Sequence, residues 1–405
     1  MSGEQASAGV FRARRVSGDL YDIFVGPQHP GSGHMRLRVR LDGDVIAEVD
    51  PDAGYVHRGV EKLAETREWL KNIPLFERVN IIDACNITLP YVRAIEALSG
   101  LTVTTKASVL RTALCEINRI ASHLYGFSIL GVFIGHSTMY MWCMADREVF
   151  VKLAEILTGA RLTHTYAIPG GVRRDAPRSF SELLRKAARF MRRRLREYDS
   201  FFLKNPVVRS RLENVGAISR KTAVELGLTG PNLRGSGVAY DVRQREPYEA
   251  YGDLDFEIPV ANEGDALART YVRVHEIEQS LLILEQIASM LEKLDKEPVI
   301  PEKTLEKLPK LYREVYEQKG VVKLLPTMVT MRVPPGRAVS RAEAARGEVL
   351  YYVESRGGDK PYRVRLVTPS FRNLAALKYA APGHKLMDLP AIYASLDYFP
   401  PEADR

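Results

Sequence analysis

Residues 121–145, between Arg119 and Asp146, contain no Asp, Glu, Lys or Arg. A run of that length has two possible environments, a bilayer or a protein interior, and a bilayer span needs roughly 20 predominantly apolar residues. This run also carries His123, His136, Ser122, Ser128, Ser137 and Thr138, together with Gly126, Gly131 and Gly135. Such polar groups find no partner in lipid, and the glycines break helices easily. The run is therefore expected to form buried core helices of a soluble protein. With 405 residues, 45% of them hydrophobic, the chain can bury such a core.

Periodicity along the chain changes twice. Residues 20–25 are β-prone. Residues 35–41 alternate as Met-Arg-Leu-Arg-Val-Arg-Leu, and Asp42-Gly43 turns the chain into residues 45–49, which predicts a hairpin with one buried face. From Val60 the pattern is helical: Leu63, Leu70 and Ile73 share a face up to Pro74, and apolar stripes follow in 91–98, 107–124 and 146–157. Residues 181–204 put Leu184, Ala187, Ala188, Met191, Leu195, Tyr198 and Phe202 on one face and Arg185, Arg189, Arg192, Arg193 and Arg196 on another. That basic stripe reads as a solvated face or as a dock for an acidic neighbour or lipid headgroups. Residues 227–245 read as loop, and 265–294 as a long helix with an apolar seam from Leu267 to Leu291. Two β-prone runs, 348–354 and 362–367, flank Gly357-Gly358, while 321–333 give no clear pattern.

These elements predict one α+β domain over 1–405 in which small sheets from both chain ends flank a helical bundle. Its parts are a polar leader (1–17), a β-rich part with a histidine loop (18–59), a mainly helical core (60–300) and a mixed C-terminal part (301–405). No internal repeat, low-complexity linker or export signal is evident.

Fifty-eight basic and 50 acidic residues leave a net charge of +8. That balance favours acidic partners, an anionic membrane surface or nucleic acid. Nucleic acid ranks last, because the basic stripe has no aromatic interleaving and no recognised module surrounds it. The 3 cysteines, Cys85, Cys115 and Cys143, form no CxxC pair and no disulfide framework, which suits a reducing interior.

Gly26-Pro27-Gln28-His29-Pro30-Gly31-Ser32-Gly33-His34 is turn chemistry carrying two imidazoles, a connector able to present them to a cleft. Downstream come Gly54-Tyr55-Val56-His57-Arg58-Gly59-Val60-Glu61-Lys62 and Arg78-Val79-Asn80-Ile81-Ile82-Asp83. Further blocks are Asn118-Arg119-Ile120-Ala121-Ser122-His123-Leu124, Gly170-Gly171-Val172, Leu226-Gly227-Leu228-Thr229-Gly230, Ser236-Gly237-Val238, Tyr240-Asp241-Val242-Arg243 and Ala345-Arg346-Gly347-Glu348. In this order they resemble the D-type, quinone-site subunit family of respiratory complex I, the NADH-quinone oxidoreductase. That family is itself similar to the large subunit of nickel-iron hydrogenases.

The resemblance implies a hydrogenase-large-subunit-like fold. In hydrogenases two CxxC pairs hold nickel and iron, and soft thiolates are what such a centre needs. Here Asn80 and Asp83 stand where the first pair would fall, and Asp397, Phe399 and Glu402 stand around the second. With all four thiolates gone, no metal centre is expected. The family's emptied site is taken to receive a quinone headgroup beside an iron-sulfur cluster on a cluster-bearing small subunit. The resemblance thus places His29, His34, Ile81, Phe133 and Phe399 at a quinone cavity, and His57, Arg58, Arg78 and His123 near the partner's cluster. His34, or else His29, would hydrogen-bond a quinone carbonyl, with Asp83 as proton relay.

The alternatives are that His29 satisfies turn backbone, that His34 faces solvent and that Arg58 pairs with Glu61. The sequence also departs from the family. The spacing from His29 to His34 is one residue longer than the usual His-Pro-x-x-His, Ile81 replaces a tyrosine, and Phe133 falls where an acidic residue is usual. Further implied partners are a C-like subunit and quinone-channel membrane subunits, with the chain peripheral on the cytoplasmic side of the cell membrane and no cofactor bound by it alone. The competing function is a catalytically silent scaffold that binds no quinone.

Overall fold

The structure, a computed structural model, describes residues 5–8, 11–29, 33–308, 313–314, 316 and 330–405. Five antiparallel strands, β1 Gln5–Ala8, β2 Phe11–Ser17, β3 Leu20–Val25, β4 Arg36–Asp42 and β5 Val45–Asp52, form a sheet in sequence order. The stretch read as a polar leader is thus corrected: part of it extends the sheet as β1 and β2. The predicted hairpin is β4–β5, with Gly43 at a φ of 60° turning the chain. Leu37, Val39 and Leu41 are buried. On the opposite face Arg36 pairs with Asp52 at 2.6 Å, Arg38 with Glu48 at 3.0 Å and Arg40 with Asp22 at 2.9 Å.

The helical reading up to Pro74 is corrected in detail. Helix α1 is only Val60–Thr66, Leu63 is exposed, and Pro74 opens the next helix, α2 Ile73–Glu77. Proline fits there because a first-turn N–H has no intrahelical partner. The bundle follows: α3 Ala84–Ser99, α4 Thr105–Phe133, α5 Ser137–Thr158 and α6 Phe180–Tyr198. The charge-free run is the second half of α4, a turn with Gly135 at a φ of 80°, and the start of α5. Gly126 and Gly131 do not break α4. They are points of close approach: a Cβ on Gly131 would lie 3.2 Å from the His136 carbonyl oxygen at the start of α5, and one on Gly126 would lie 3.2 Å from the Asp397 carboxylate. No described helix is long and apolar enough to cross a membrane.

Between α5 and α6 a two-residue pair, β6 Ala167–Ile168 and β7 Gly171–Val172, is pinned by Arg111, which donates to the Ile168 carbonyl at 2.7 Å. The apolar face of α6 is buried as expected. Two arginines of the stripe find acids on α7 Ala266–Lys293, Arg192 pairing with Glu285 at 2.7 Å and Arg185 with Glu292, while Arg189, Arg193 and Arg196 are exposed. Asp265 caps α7, accepting from the Ala268 N–H at 2.7 Å, and the seam Leu267, Val274, Ile277, Leu281, Leu284, Ala288 and Leu291 is buried.

Residues 227–245 are no surface loop. They carry short helices, Pro231–Arg234 and Val242–Arg245, and Arg234 and Arg243 are fully enclosed. Burial is tolerated because both guanidiniums meet buried carboxylates, Arg234 with Glu276 at 2.6 Å and Arg243 with Asp241 at 2.7 Å.

Three strands, β8 Gly336–Ala344, β9 Gly347–Ser355 and β10 Arg363–Val367, form the C-terminal sheet in the order β10-β9-β8. The two predicted runs are β9 and β10, and β8 is an addition. Of the unassigned stretch, 321–329 lies outside the described residues. The last helices are α8 Leu389–Leu396 and α9 Pro400–Asp404. The bundle and the C-terminal sheet share one hydrophobic core, and the N-terminal sheet covers a second. Helix α8 packs into both, Ala391 and Ala394 toward the bundle and Ile392, Tyr393 and Leu396 toward the N-terminal sheet. The segment that leaves α8 therefore emerges at the junction.

Candidate functional site

Two segments far apart in sequence meet at that junction. One is the approach to α3, Arg78-Val79-Asn80-Ile81-Ile82-Asp83; the other leaves α8 through Asp397, whose φ of 54° turns the chain toward α9. The Asn80 side-chain amide donates to Glu402 Oε2 at 2.6 Å. Arg346, in the turn between β8 and β9, reaches into the same place. It donates from Nε to the Asp397 carbonyl and from Nη2 to Asp397 Oδ1, both at 2.8 Å, and from Nη1 to Ser122 Oγ at 2.9 Å. Its guanidinium lies 5.3 Å from the centre of the Phe399 ring. The turn can sit so deep because Gly230 backs it: a Cβ there would be 2.3 Å from the Arg346 carbonyl oxygen.

Asp83 is fully enclosed. One carboxylate oxygen accepts from Asn86 at 2.6 Å and the other from the Ala345 N–H at 2.7 Å. Burial pushes its pKa up to about 6, against the pull of Arg119. Glu402 is equally buried, accepts from the Ser370 N–H at 3.1 Å, and is pushed up to about 7 by the same cause. Asn80, Asp83, Asp397, Phe399 and Glu402 therefore do converge. Asn80 is bonded to Glu402 and Asp397 to Arg346, while Asp83 is held by Asn86 and the Ala345 N–H. Among the described residues no group of three or more His, Cys, Asp or Glu is arranged to hold a metal ion.

Outside this knot lies a rim of aromatic side chains. Phe133 meets Tyr393 edge-on with centroids 5.9 Å apart, and Tyr393 meets Tyr398 at 5.9 Å. Gly33 of the histidine loop abuts Tyr393: a Cβ on it would be 2.0 Å from the phenolic oxygen. Next to it His34 is exposed and holds a φ of 61°. His29 is half-buried, and Pro30, Gly31 and Ser32 lie outside the described residues. Of the residues expected at a cavity, Phe133 lies against Tyr393 and Phe399 against Arg346, and His34 follows the Gly33 that abuts Tyr393. Ile81 points elsewhere, exposed beside Arg147, Arg161 and His164.

His57, Arg58 and Arg78 form an exposed group. Arg58 donates to the Arg78 carbonyl at 2.7 Å, Arg78 to the Pro74 carbonyl at 2.5 Å, and His57 Nδ1 lies 2.5 Å from the Asp404 carbonyl. Among the described residues neither arginine pairs with a carboxylate. Glu61 instead faces Arg363, Arg365 and Arg405, each at 3.5 Å, so the Arg58–Glu61 pair is not formed. His123 is corrected. It lies wholly inside the chain, 2.8 Å from Glu276, with its pKa pushed down by burial, and it offers no surface to a partner.

Sequence reasoning missed Arg346, Tyr393, Tyr398 and the buried His164, which bonds Asn118 at 3.1 Å. The one signal was Arg346 inside the block Ala345-Arg346-Gly347-Glu348. The cysteines, scattered in sequence, are all buried free thiols, and Cys85 and Cys115 touch, with sulfurs 3.3 Å apart.

The sequence profile of the family described as respiratory-chain NADH dehydrogenase, 49 Kd subunit, matches residues 134–405. The chain belongs to this family. The D-type subunit of NADH-quinone oxidoreductase from Thermus thermophilus is 36% identical over 395 residues, 97% of this chain and 96% of that protein. The subunit of the same name from Thermosipho melanesiensis is 35% identical over 387 residues, 95% and 99% of the two chains. Among solved structures, a chain of the membrane-bound sulfane sulfur reductase, an archaeal respiratory membrane complex, superimposes with a TM-score of 0.85 at 38% identity. The match covers 96% of this chain and all of that one. The protein is thus a D-type subunit of the respiratory-chain NADH-quinone oxidoreductase family.

Proposed function

We propose that the chain forms, with a cluster-bearing small subunit, the cavity in which a quinone is reduced, within a complex I-like assembly that couples the reaction to proton translocation. The observation that carries this reading is the rim. Gly33, next to the exposed His34, abuts Tyr393 within a set of aromatic rings that can cover a planar headgroup, and a buried carboxyl, Asp83, pushed up to about 6, belongs to the adjoining junction. Quinone reduction takes two electrons and two protons. His34, or His29 from the same loop, would hydrogen-bond a carbonyl of the headgroup, and Asp83 would hold a proton close by.

Electrons enter from the partner, since three buried thiols do not make a cluster's ligand set. Arg58 and Arg78, which lack carboxylate partners in the described chain, would stabilise the reduced state of that cluster and raise its potential. The C-like and quinone-channel subunits would complete the assembly on the cytoplasmic side of the membrane. In the assembled complex His34→Ala is expected to slow quinone reduction, and unimpaired turnover refutes the assignment. Arg78→Met should lower the cluster's midpoint potential; an unchanged potential removes that role.

A second reading has its own support. The occupied junction, Ile81, Phe133 and the likeness to a chain of a sulfane sulfur reductase favour a scaffold that binds no quinone. Photoaffinity labelling with a quinone analogue separates the two: label on the rim supports the first reading, and label only on other subunits supports the second.

A further inference from the structure

Three buried carboxylates, Asp83, Asp397 and Glu402, converge around Arg346. Asp397 takes the guanidinium directly and also faces Arg273, whose Nε is 3.9 Å away. Arg119 faces Asp83 from α4, but its own hydrogen bonds go to Glu116 and to the Glu343 and Ala344 carbonyls. Asp404, on the same helix as Glu402, accepts from the Val56 N–H at 2.9 Å and lies toward Arg405. Asp83 and Glu402 are left with neutral donors only: Asn86 and the Ala345 N–H for one, Asn80 and the Ser370 N–H for the other. Asp83 is faced through space by Arg119 and Arg346 but Glu402 by Arg346 alone, and a buried carboxyl with no cation bonded to it sheds its charge by binding a proton, Glu402 ahead of Asp83.

We propose that Asp83 and Glu402, held on either side of Asn80, form one proton-holding unit that keeps a single exchangeable proton, mainly on Glu402, behind the aromatic rim. The two carboxyls share no hydrogen bond, so the coupling acts through space: ionising one makes ionising the other harder. The elevated pKa values, about 6 for Asp83 and about 7 for Glu402, accord with that arrangement. When an acceptor at the rim takes two electrons from the partner's cluster, it also takes two protons, one of them from solvent water on its exposed side. The other leaves the Glu402 carboxyl as its O–H bond breaks, and the resulting carboxylate is faced by Arg346 until water reprotonates it. The proton store stands on the charge arrangement alone; its use rests on the quinone reading above.

The test is infrared titration of the intact complex, in H2O and D2O, following the carbonyl stretch of a protonated carboxylic acid. Wild type should show such a band that fades as pH rises through about 7. Glu402→Gln should remove one component of it, read in the wild-type-minus-variant difference, since Glu343, also pushed up to about 7, contributes a band of its own. Asp83→Asn should keep the Glu402 component but lower its midpoint by about one pH unit, because the like charge that opposes ionisation is gone. A wild type with no titrating band in that range, a wild-type-minus-Glu402→Gln difference with no such component, or a midpoint of that component that Asp83→Asn leaves in place each overturns the proposal. None of these readouts requires quinone to bind, so a negative photoaffinity result and a negative titration refute different claims.

Discussion

Arg346 anchors the junction through four neighbours: it bonds Asp397 twice, bonds Ser122, covers Phe399 and faces the charge of Glu402. Arg346→Met would leave Asp397 buried beside only the more distant Arg273, and losing one partner of a buried ion pair costs about 3–5 kcal/mol. The expected result is a drop of that size in unfolding free energy from urea titration, with the loss concentrated where α8 meets α3. Glu402 makes a prediction of opposite character. Its folded pKa lies above the ordinary 4.5, at about 7, so the folded chain binds the proton more tightly than the unfolded one. That contribution is fully present below about pH 4.5 and is lost as pH rises to about 7. Glu402→Gln should therefore flatten the fall in stability over this window, as read from thermal unfolding at successive pH values. Sequence alone could single out Asn80, Asp83, Asp397, Phe399 and Glu402 through the family resemblance. It could not show that an arginine from a distant turn stands among them.

At the level of elements, α7 was legible nearly to the residue, because its apolar seam and its capping Asp265 both lie within a few positions of what they act on. Helix α4 was not. Its glycines read as breaks, since a glycine that ends a helix and one that admits a neighbour look alike until the neighbour is known. Gly131→Leu tests the second role. The added side chain must displace the start of α5, and such overpacking costs roughly 1–3 kcal/mol. Gly131→Leu should therefore unfold at lower temperature than wild type even though leucine is the better helix former. The stripe on α6 teaches the same point: the periodicity placed the arginines correctly on one face, but the acids that answer Arg185 and Arg192 sit on α7, across the bundle.

Over the whole molecule, the first and last parts of the chain close on each other. Val56 and His57 contact Asp404, Asn80 contacts Glu402, and α8 lies in both cores. A chain ending at Phe399 should consequently leave the Arg58–Arg78 surface unanchored. The expectation is loss of the small subunit from the assembly on native gels, while the α4–α7 bundle keeps its helical circular dichroism. By itself the sequence determined the helical bundle with sheets at either end, the absence of thiolates and the membership of the family. These depend on residue types and on spacings within a few turns of helix or strand. Only the tertiary structure decided that Arg346 fills the junction, that His123 faces inward and that Glu61 turns away from Arg58. Each of those outcomes depends on which charges are buried together, and burial is set by neighbours distant in sequence.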